Sequence, residues 1–323
     1  MAGCLRVSDY AVVLGKTALT DWALQLDAVP VAANLAMQHK QLAQFNSVAD
    51  IADDLPLAER LVLLLQLLWQ QLTRLPDAAP VLLVLPEQLA GEAALQDCLT
   101  ALQQAFPTLL SHPACQLYPY GRSAALMALA AARQLLAAGE QQVWLVGLDS
   151  PVAAMLADTP LEPVQADTQA TEPVVWSEGA VALCLTRSDS GLNCQYLASD
   201  ASVSQQIDEP ALAQLFTAVA SKVAQPLRRL YLADNGSEAL TACWQGQYPR
   251  LAGVINIETE LMLPAYYTGE LGAAGGVYRL LHLYLGYSQA MYNGLTLQCE
   301  ISEKLYRAVA VFSWQQASTL SDI

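Results

Sequence analysis

Short apolar runs alternate with longer stretches of helical period along most of the chain. In the first half, residues 11–15 (AVVLG), 81–85 (VLLVL), 143–148 (VWLVGL) and 180–186 (AVALCLT) are nearly uninterrupted apolar runs, predicted as buried strands. Residues 115–118 and 193–198 predict two more. Helices are predicted from 56 to about 74, closed by Pro76-Asp77, then over 92–105 and 123–138. Gly139 stands just past the last of these, where a left-handed C-cap favours glycine. The second half repeats the grammar: helix 211–223, strand 230–233, helix 237–244 with Ser237 as a candidate cap, strand 254–257 (VINI), helix 272–291, and closing strands 295–301 and 308–312.

Residues 81–187 and 230–312 thus share the order strand, helix, strand, helix, strand, strand. Alternating strands and helices predict a mainly parallel sheet covered by helices, here in two tandem units. The expected division is 1–190 and 191–323, with a polar surface excursion at 156–173 in the first unit. Each unit carries a helix of small residues: SAALMALAAARQLLAAG and GAAGGVYRLLHLYLGYS. Gly272, Gly275 and Gly276 weaken a helix start unless close packing compensates, which points to a buried central helix pair.

Composition narrows the partners. The 323 residues are 54% hydrophobic and 14% charged, so the chain buries a large core. A net charge of −15 repels phosphate backbones and argues against nucleic acid. Seven scattered cysteines with no CxxC pair fit reduced thiols in a cytoplasmic protein, and three histidines without HxxxH or HExxH spacing give no metal site. No cofactor motif is present. Gly15-Lys16-Thr17 lacks the earlier glycine of a phosphate loop, since Tyr10 stands there. The N-terminal residues have no basic stretch followed by an apolar run, so no signal peptide is expected. LVLLLQLLWQQL (61–72) is too short and too interrupted to insert into a membrane.

Three segments resemble the thiolase superfamily, specifically the β-ketoacyl-acyl-carrier-protein synthases. GRSAALMALAAARQLLAAGEQQVWLVGLDS (121–150) is similar to the segment holding the nucleophile, its helix and the following strand. SEGAVALCL (177–185) is similar to the Gly-Glu-Gly-Ala strand entry, and YTGELGAAGG (267–276) to the Thr-Gly-His-Leu-Leu-Gly-Ala-Ala-Gly motif. The resemblance implies an α/β, thiolase-like αβαβα layered fold of two duplicated halves, and a dimer formed through the strand near Cys115. It does not carry over the chemistry. Counting back from Gly139-Glu140 places Arg122 at the nucleophile position, and arginine stays protonated and cannot attack a thioester. Glu270 stands where the third motif has histidine. Ala233-Asp234-Asn235-Gly236-Ser237 replaces a His-Gly-Thr-Gly-Thr loop, and Glu300-Ile301-Ser302-Glu303-Lys304 replaces a glycine-rich strand.

The residues left in that region are the candidates. Ser123 is a nucleophile without a recognisable base, and otherwise an N-cap. Cys115 lies seven residues before Arg122 and reads as core. Arg122 and Glu270 are expected to meet as a buried ion pair, or Arg122 to bind an anionic ligand at the helix N-terminus. Asp234 and Asn235 close a strand and are candidate caps, and Tyr266 and Tyr267 are candidate pocket lining. The expected function is a non-catalytic synthase homologue, a subunit or scaffold in acyl or polyketide-type metabolism. It would form a homodimer, or a heterodimer with an active ketosynthase, and an acyl carrier protein is a further candidate partner. Arg228-Arg229, the only adjacent basic pair, is the candidate carrier contact. The alternatives are an acyl hydrolase or acyltransferase with a rewired nucleophile, and a ligand-binding or structural homodimer.

Overall fold

The computed structural model describes residues 3–15, 33–38, 41–74, 76, 78–153, 174–203 and 209–317. The excursion expected at 156–173, and Lys16 and Thr17, lie outside them. The strands are β1 (Cys4–Leu14), β2 (Asn34–Gln38), β3 (Gln41–Asn46), β4 (Val81–Val84), β5 (Gln116–Tyr118), β6 (Val143–Asp149), β7 (Val175–Ser177), β8 (Gly179–Ser188), β9 (Gly191–Ala201), β10 (Leu227–Leu232), β11 (Glu260–Met262), β12 (Leu295–Ile301) and β13 (Tyr306–Gln315). The helices are α1 (Leu57–Gln71), α2 (Glu92–Ala105), α3 (Ala124–Ala138), α4 (Pro210–Lys222), α5 (Glu238–Gln247), α6 (Ala265–Thr268) and α7 (Gly272–Ser288).

Ten strands hydrogen-bond in the order β11-β10-β12-β13-β9-β1-β8-β6-β4-β5, and β2, β3 and β7 form a small second sheet. The order is the same in each half when read from its edge inward. β5-β4-β6-β8-β1 and β11-β10-β12-β13-β9 both run third, second, fourth, fifth, first strand of their unit. The halves join where Leu5 of β1 pairs with Leu192 of β9.

The expectation of a mainly parallel sheet is corrected to a mixed one. β4 is parallel to β5 and β6, and β10 to β11 and β12, each across a helical connection. The inner pairs β6/β8, β8/β1, β12/β13 and β13/β9 are antiparallel. β12 and β13 are joined by a short loop, which allows only an antiparallel return.

The strand pattern explains the layers. In β8, Val181, Leu183 and Leu185 face a central core, while Ala180, Ala182 and Cys184 face α1 and α2. In β13, Ala308, Ala310 and Phe312 face the same central core, while Val309 and Val311 face α4 and α5. Both faces are apolar because both are covered. α3 and α7 fill the central layer. A Cβ on Gly276 would stand 2.6 Å from the Ala125 Cβ and 2.7 Å from the Arg122 carbonyl, so these helices touch backbone to backbone.

Two local expectations are corrected. Residues 254–257 form no strand. Val254 is buried, Ile257 is fully exposed, and the edge strand is β11, a few residues later. Helix α7 ends at Ser288, short of residue 291, because Ala290 takes a positive φ of 58°. No helix among the described residues is long and apolar enough to cross a membrane.

Candidate functional site

The C-terminal ends of the parallel strands and the N-termini of α3 and α7 converge on one spot, where open α/β sheets commonly place a site. A 3-10 turn, Gly121–Ser123, delivers Arg122 there. Gly121 takes a φ of 67°, a left-handed conformation that favours glycine. Gly269 (φ 75°) and Gly272 (φ 54°) bracket Glu270 in the entry to α7. A Cβ on Gly272 would lie 2.0 Å from an Asp149 carboxylate oxygen, so only glycine lets these two segments approach.

Arg122 and Glu270 meet. Arg122 Nε donates to Glu270 Oε1 at 3.1 Å, and the two side chains are 5% and 1% exposed. Glu270 Oε1 also accepts the Gly272 N–H at 2.7 Å, and Oε2 accepts Asn235 Nδ2 at 2.9 Å. Burial alone would raise the Glu270 carboxyl, but Arg122 and Arg279 outweigh it and hold it below its usual value. Burial pulls the Arg122 guanidinium down while Glu270 and Glu303 push it up, and the net shift is upward. The Arg122 side chain is completed by the Ile301 carbonyl at 3.5 Å and Glu303 at 3.7 Å.

Behind this pair lies a second. Arg279 donates from Nε and Nη2 to Glu300 at 2.8 and 2.5 Å, with both groups buried. Gln298 Nε2 donates to Glu300 Oε1 at 2.7 Å and to the Gly276 carbonyl at 2.8 Å. Glu300 is thus held in a buried ion pair.

Ser123 is fully buried and stands at the N-cap position of α3, but its side chain makes no capping hydrogen bond. Its hydroxyl lies 2.9 Å from the Glu300 carbonyl and 2.8 Å from the Tyr306 carbonyl, and its N–H donates to Ser302 Oγ at 2.9 Å. A hydroxyl committed to carbonyl acceptors has no base to activate it. Ser237 likewise gives no side-chain cap. The start of α5 is organised by Asn235, whose Oδ1 accepts the Ser237 N–H at 3.0 Å, and by Asp234. Asp234 accepts from Gly236 N–H, Thr241 Oγ1, Trp244 Nε1 and Tyr266 OH, at 2.9, 3.0, 2.5 and 3.1 Å.

A half-open cleft of about 170 Å³ reaches Arg122 between α5 and the loop after β12, lined also by Asn235, Ser237, Cys243, Ser302 and Glu303. Asp234, Glu270 and Tyr267 do not line it. Tyr267 is 37% exposed beside it. Cys243 Sγ donates to Glu209 at 2.7 Å, and burial together with that carboxylate pushes its thiol up to about 12, leaving it protonated. Cys115 precedes β5, where its sulfur accepts the Val81 N–H at 3.2 Å.

The sequence pattern did not single out Asp149, although a carboxylate closing the apolar run VWLVGLD is a visible signal. It is 4% exposed. Its Oδ2 accepts the Ala273 N–H at 2.6 Å, and its Oδ1 is buried with no hydrogen-bond partner. Burial pushes its carboxyl up to about 8, against the lowering effect of the Ala273 N–H. The folded chain thus keeps a proton on Asp149 that the unfolded chain releases above about pH 4. Stability therefore falls as pH rises from about 4 to 8. Asp149→Asn is expected to remove that slope and to be more stable than the parent by about 1–3 kcal/mol at pH 8, with the gap closing toward pH 4. Urea unfolding across this range checks it, and parallel pH profiles would refute it.

No protein-family model matches the sequence, and no curated protein matches it. Solved structures do match. The ishigamide ketosynthase/chain length factor aligns at a TM-score of 0.65 and 14% identity, over 97% of this chain and 100% of that one. The ketosynthase ApeO in complex with its chain length factor ApeC from Xenorhabdus doucetiae aligns at 0.66 and 10%, over 97% and 98%. AntDE:AntF, a type II polyketide synthase acyl-carrier protein in complex with its ketosynthase, aligns at 0.61 and 11%, over 97% and 99%. At such identities the likeness is one of fold, and this chain has the mixed α/β, thiolase-like fold of ketosynthases and chain length factors, with its large central sheet.

Proposed function

We propose that this chain is a non-condensing, ketosynthase-like subunit that pairs with an active ketosynthase in acyl or polyketide-type chain assembly. One observation carries the reading. The side chain presented at the start of α3 is Arg122, locked by Glu270, where condensation needs an activated nucleophile. The groups around it offer no replacement, because Ser123 is held by carbonyls and the Cys243 thiol stays protonated. The identical strand order of the two five-strand units supports reading 1–190 and 191–323 as duplicated halves.

β5 supports pairing with another chain. It is a three-residue edge strand whose outer side pairs with no other strand among the described residues. The basic pair speaks against a carrier protein as the direct partner. Arg228 is ion-paired with Glu258, and Arg229 with Glu260 at 3.0 Å, with its guanidinium 4.0 Å above the Tyr292 ring. Each cation already has a carboxylate beside it, which lowers its pull on an acidic protein.

Incubation with acyl thioesters followed by intact-mass measurement tests the non-condensing assignment. The mass is expected to stay unchanged, and an acyl adduct on any residue would overturn it. Native mass spectrometry after co-expression with a ketosynthase of its own source is expected to give a one-to-one complex. Exclusive homodimers would refute the pairing.

A further inference from the structure

The Arg122 guanidinium is only partly matched. It carries a planar fork of N–H donors. Nε is taken by Glu270 at 3.1 Å. At the terminal edge, Nη1 reaches the Ile301 carbonyl only at 3.5 Å, and Nη2 lies 3.7 Å from Glu303, beyond hydrogen-bonding distance. A guanidinium just 5% exposed is thus left with most of its donors unmatched, which is costly for a buried charge. Ile301 and Glu303, the neighbours of this edge, line the cleft of about 170 Å³, and Glu270 does not. The unmatched edge is therefore the one that faces the opening.

The rest of the cleft is open to a ligand. Ser237 lines it half-buried, and its hydroxyl makes no capping hydrogen bond. Trp176, half-buried, and Ala239, exposed, supply apolar surface. Glu303 stands at the mouth, 54% exposed, and can turn outward into solvent without leaving a buried charge. Its loose contact with Arg122 makes it a stand-in for a better acceptor.

We infer that this cleft binds a short monocarboxylate that displaces Glu303, its carboxylate on the terminal edge of Arg122 with Ser237 as a further donor, and its apolar end on Trp176 and Ala239. A guanidinium suits a carboxylate through two parallel N–H donors. The volume limits the ligand to a few heavy atoms, since a cavity of about 150 Å³ takes one benzene. Glu270 and Glu303 already stand beside the arginine, so a single added charge is favoured over a dianion such as phosphate. Binding here needs neither a ketosynthase partner nor a condensing residue.

Titration of the isotope-labelled full chain with sodium butyrate, followed by NMR at the Trp176 indole, tests this, and Trp176→Phe identifies the resonance. A saturable shift is expected. Arg122→Lys keeps a charge beside Glu270 but loses the fork, and is expected to bind about tenfold more weakly. Glu303→Gln removes the internal competitor and is expected to bind about twofold to fivefold more tightly. Inorganic phosphate and butanol are each expected to bind at least about tenfold more weakly than butyrate. Glu303 is exposed, so its variant keeps the test open if Arg122→Lys does not fold. Four results would each overturn the assignment: no saturable shift in the parent, unchanged affinity in a folded Arg122→Lys, unchanged or weaker affinity in Glu303→Gln, or phosphate or butanol binding as tightly as butyrate.

Discussion

Arg122→Ala is expected to lose about 3–5 kcal/mol of stability, because it leaves the Glu270 carboxylate buried without its cation. Small domains carry only about 5–15 kcal/mol, so the loss is a large fraction of the total. The pH dependence distinguishes a lost ion pair from lost packing. In the parent, Glu270 is held below its usual value. It therefore contributes stability above its unfolded pKa, and that contribution disappears as pH falls through the folded one. Without Arg122, burial outweighs the remaining cation and the Glu270 pKa rises, which reverses the sign. The variant then gains relative to the parent as pH falls toward 4, where Glu270 is protonated. Adding Glu270→Gln to Arg122→Ala removes the stranded charge and is expected to restore part of the loss at neutral pH. Denaturant unfolding at pH 5 and pH 7 reads both effects. An Arg122→Ala midpoint equal to the parent's would refute the pair as a structural element.

Glu178→Ala is expected to cost as much or more. Arg60 and Glu178 are both fully buried. Arg60 Nε and Nη2 donate to the two Glu178 oxygens at 2.9 and 2.8 Å, and Nη1 donates to the Ala52 carbonyl at 2.6 Å. Glu178 further accepts the Val48 N–H at 2.6 Å and the Ser150 hydroxyl at 2.7 Å. Its loss strands a guanidinium, a backbone N–H and a hydroxyl together. We expect about 3–5 kcal/mol or outright failure to fold. Glu178→Gln keeps the shape and loses the charge, so it is expected to fall between parent and alanine variant. Thermal melts rank the three, and an alanine variant as stable as the parent would refute the account. The pair ties α1, the entry to β8 and the loop after β3 together, which fixes the first-half sheet beneath its outer helices.

Both pairs show what can be read locally. Arg60, beside Glu59 at the head of the leucine run LAERLVLLLQLLW, and Glu178, opening SEGAVALCL, are charges beside long apolar runs, and a charge there signals a buried partner. The identity of each partner is not local. Arg60 and Glu178 are 118 residues apart, and Arg122 and Glu270 are 148 apart. Only the resemblance, which places both at one centre, joins Arg122 to Glu270 at the level of sequence. Asp149, Arg279 and Glu300 had no such guide. The apolar pattern predicts only the later end of β1, because CLRVSDY mixes buried apolar with exposed polar residues.

By itself, the sequence determined the alternation of buried strands and helices and the two small-residue helices. These follow from short-range chemistry: apolar period and glycine placement. Only the tertiary structure decided the mixed direction of the sheet, the joining of the halves at Leu5 and Leu192, and the charge pairs that fill the centre. Strand pairing and ion pairing depend on which distant segments the packed helices bring together. A buried charge is tolerated only where that packing delivers its counter-charge.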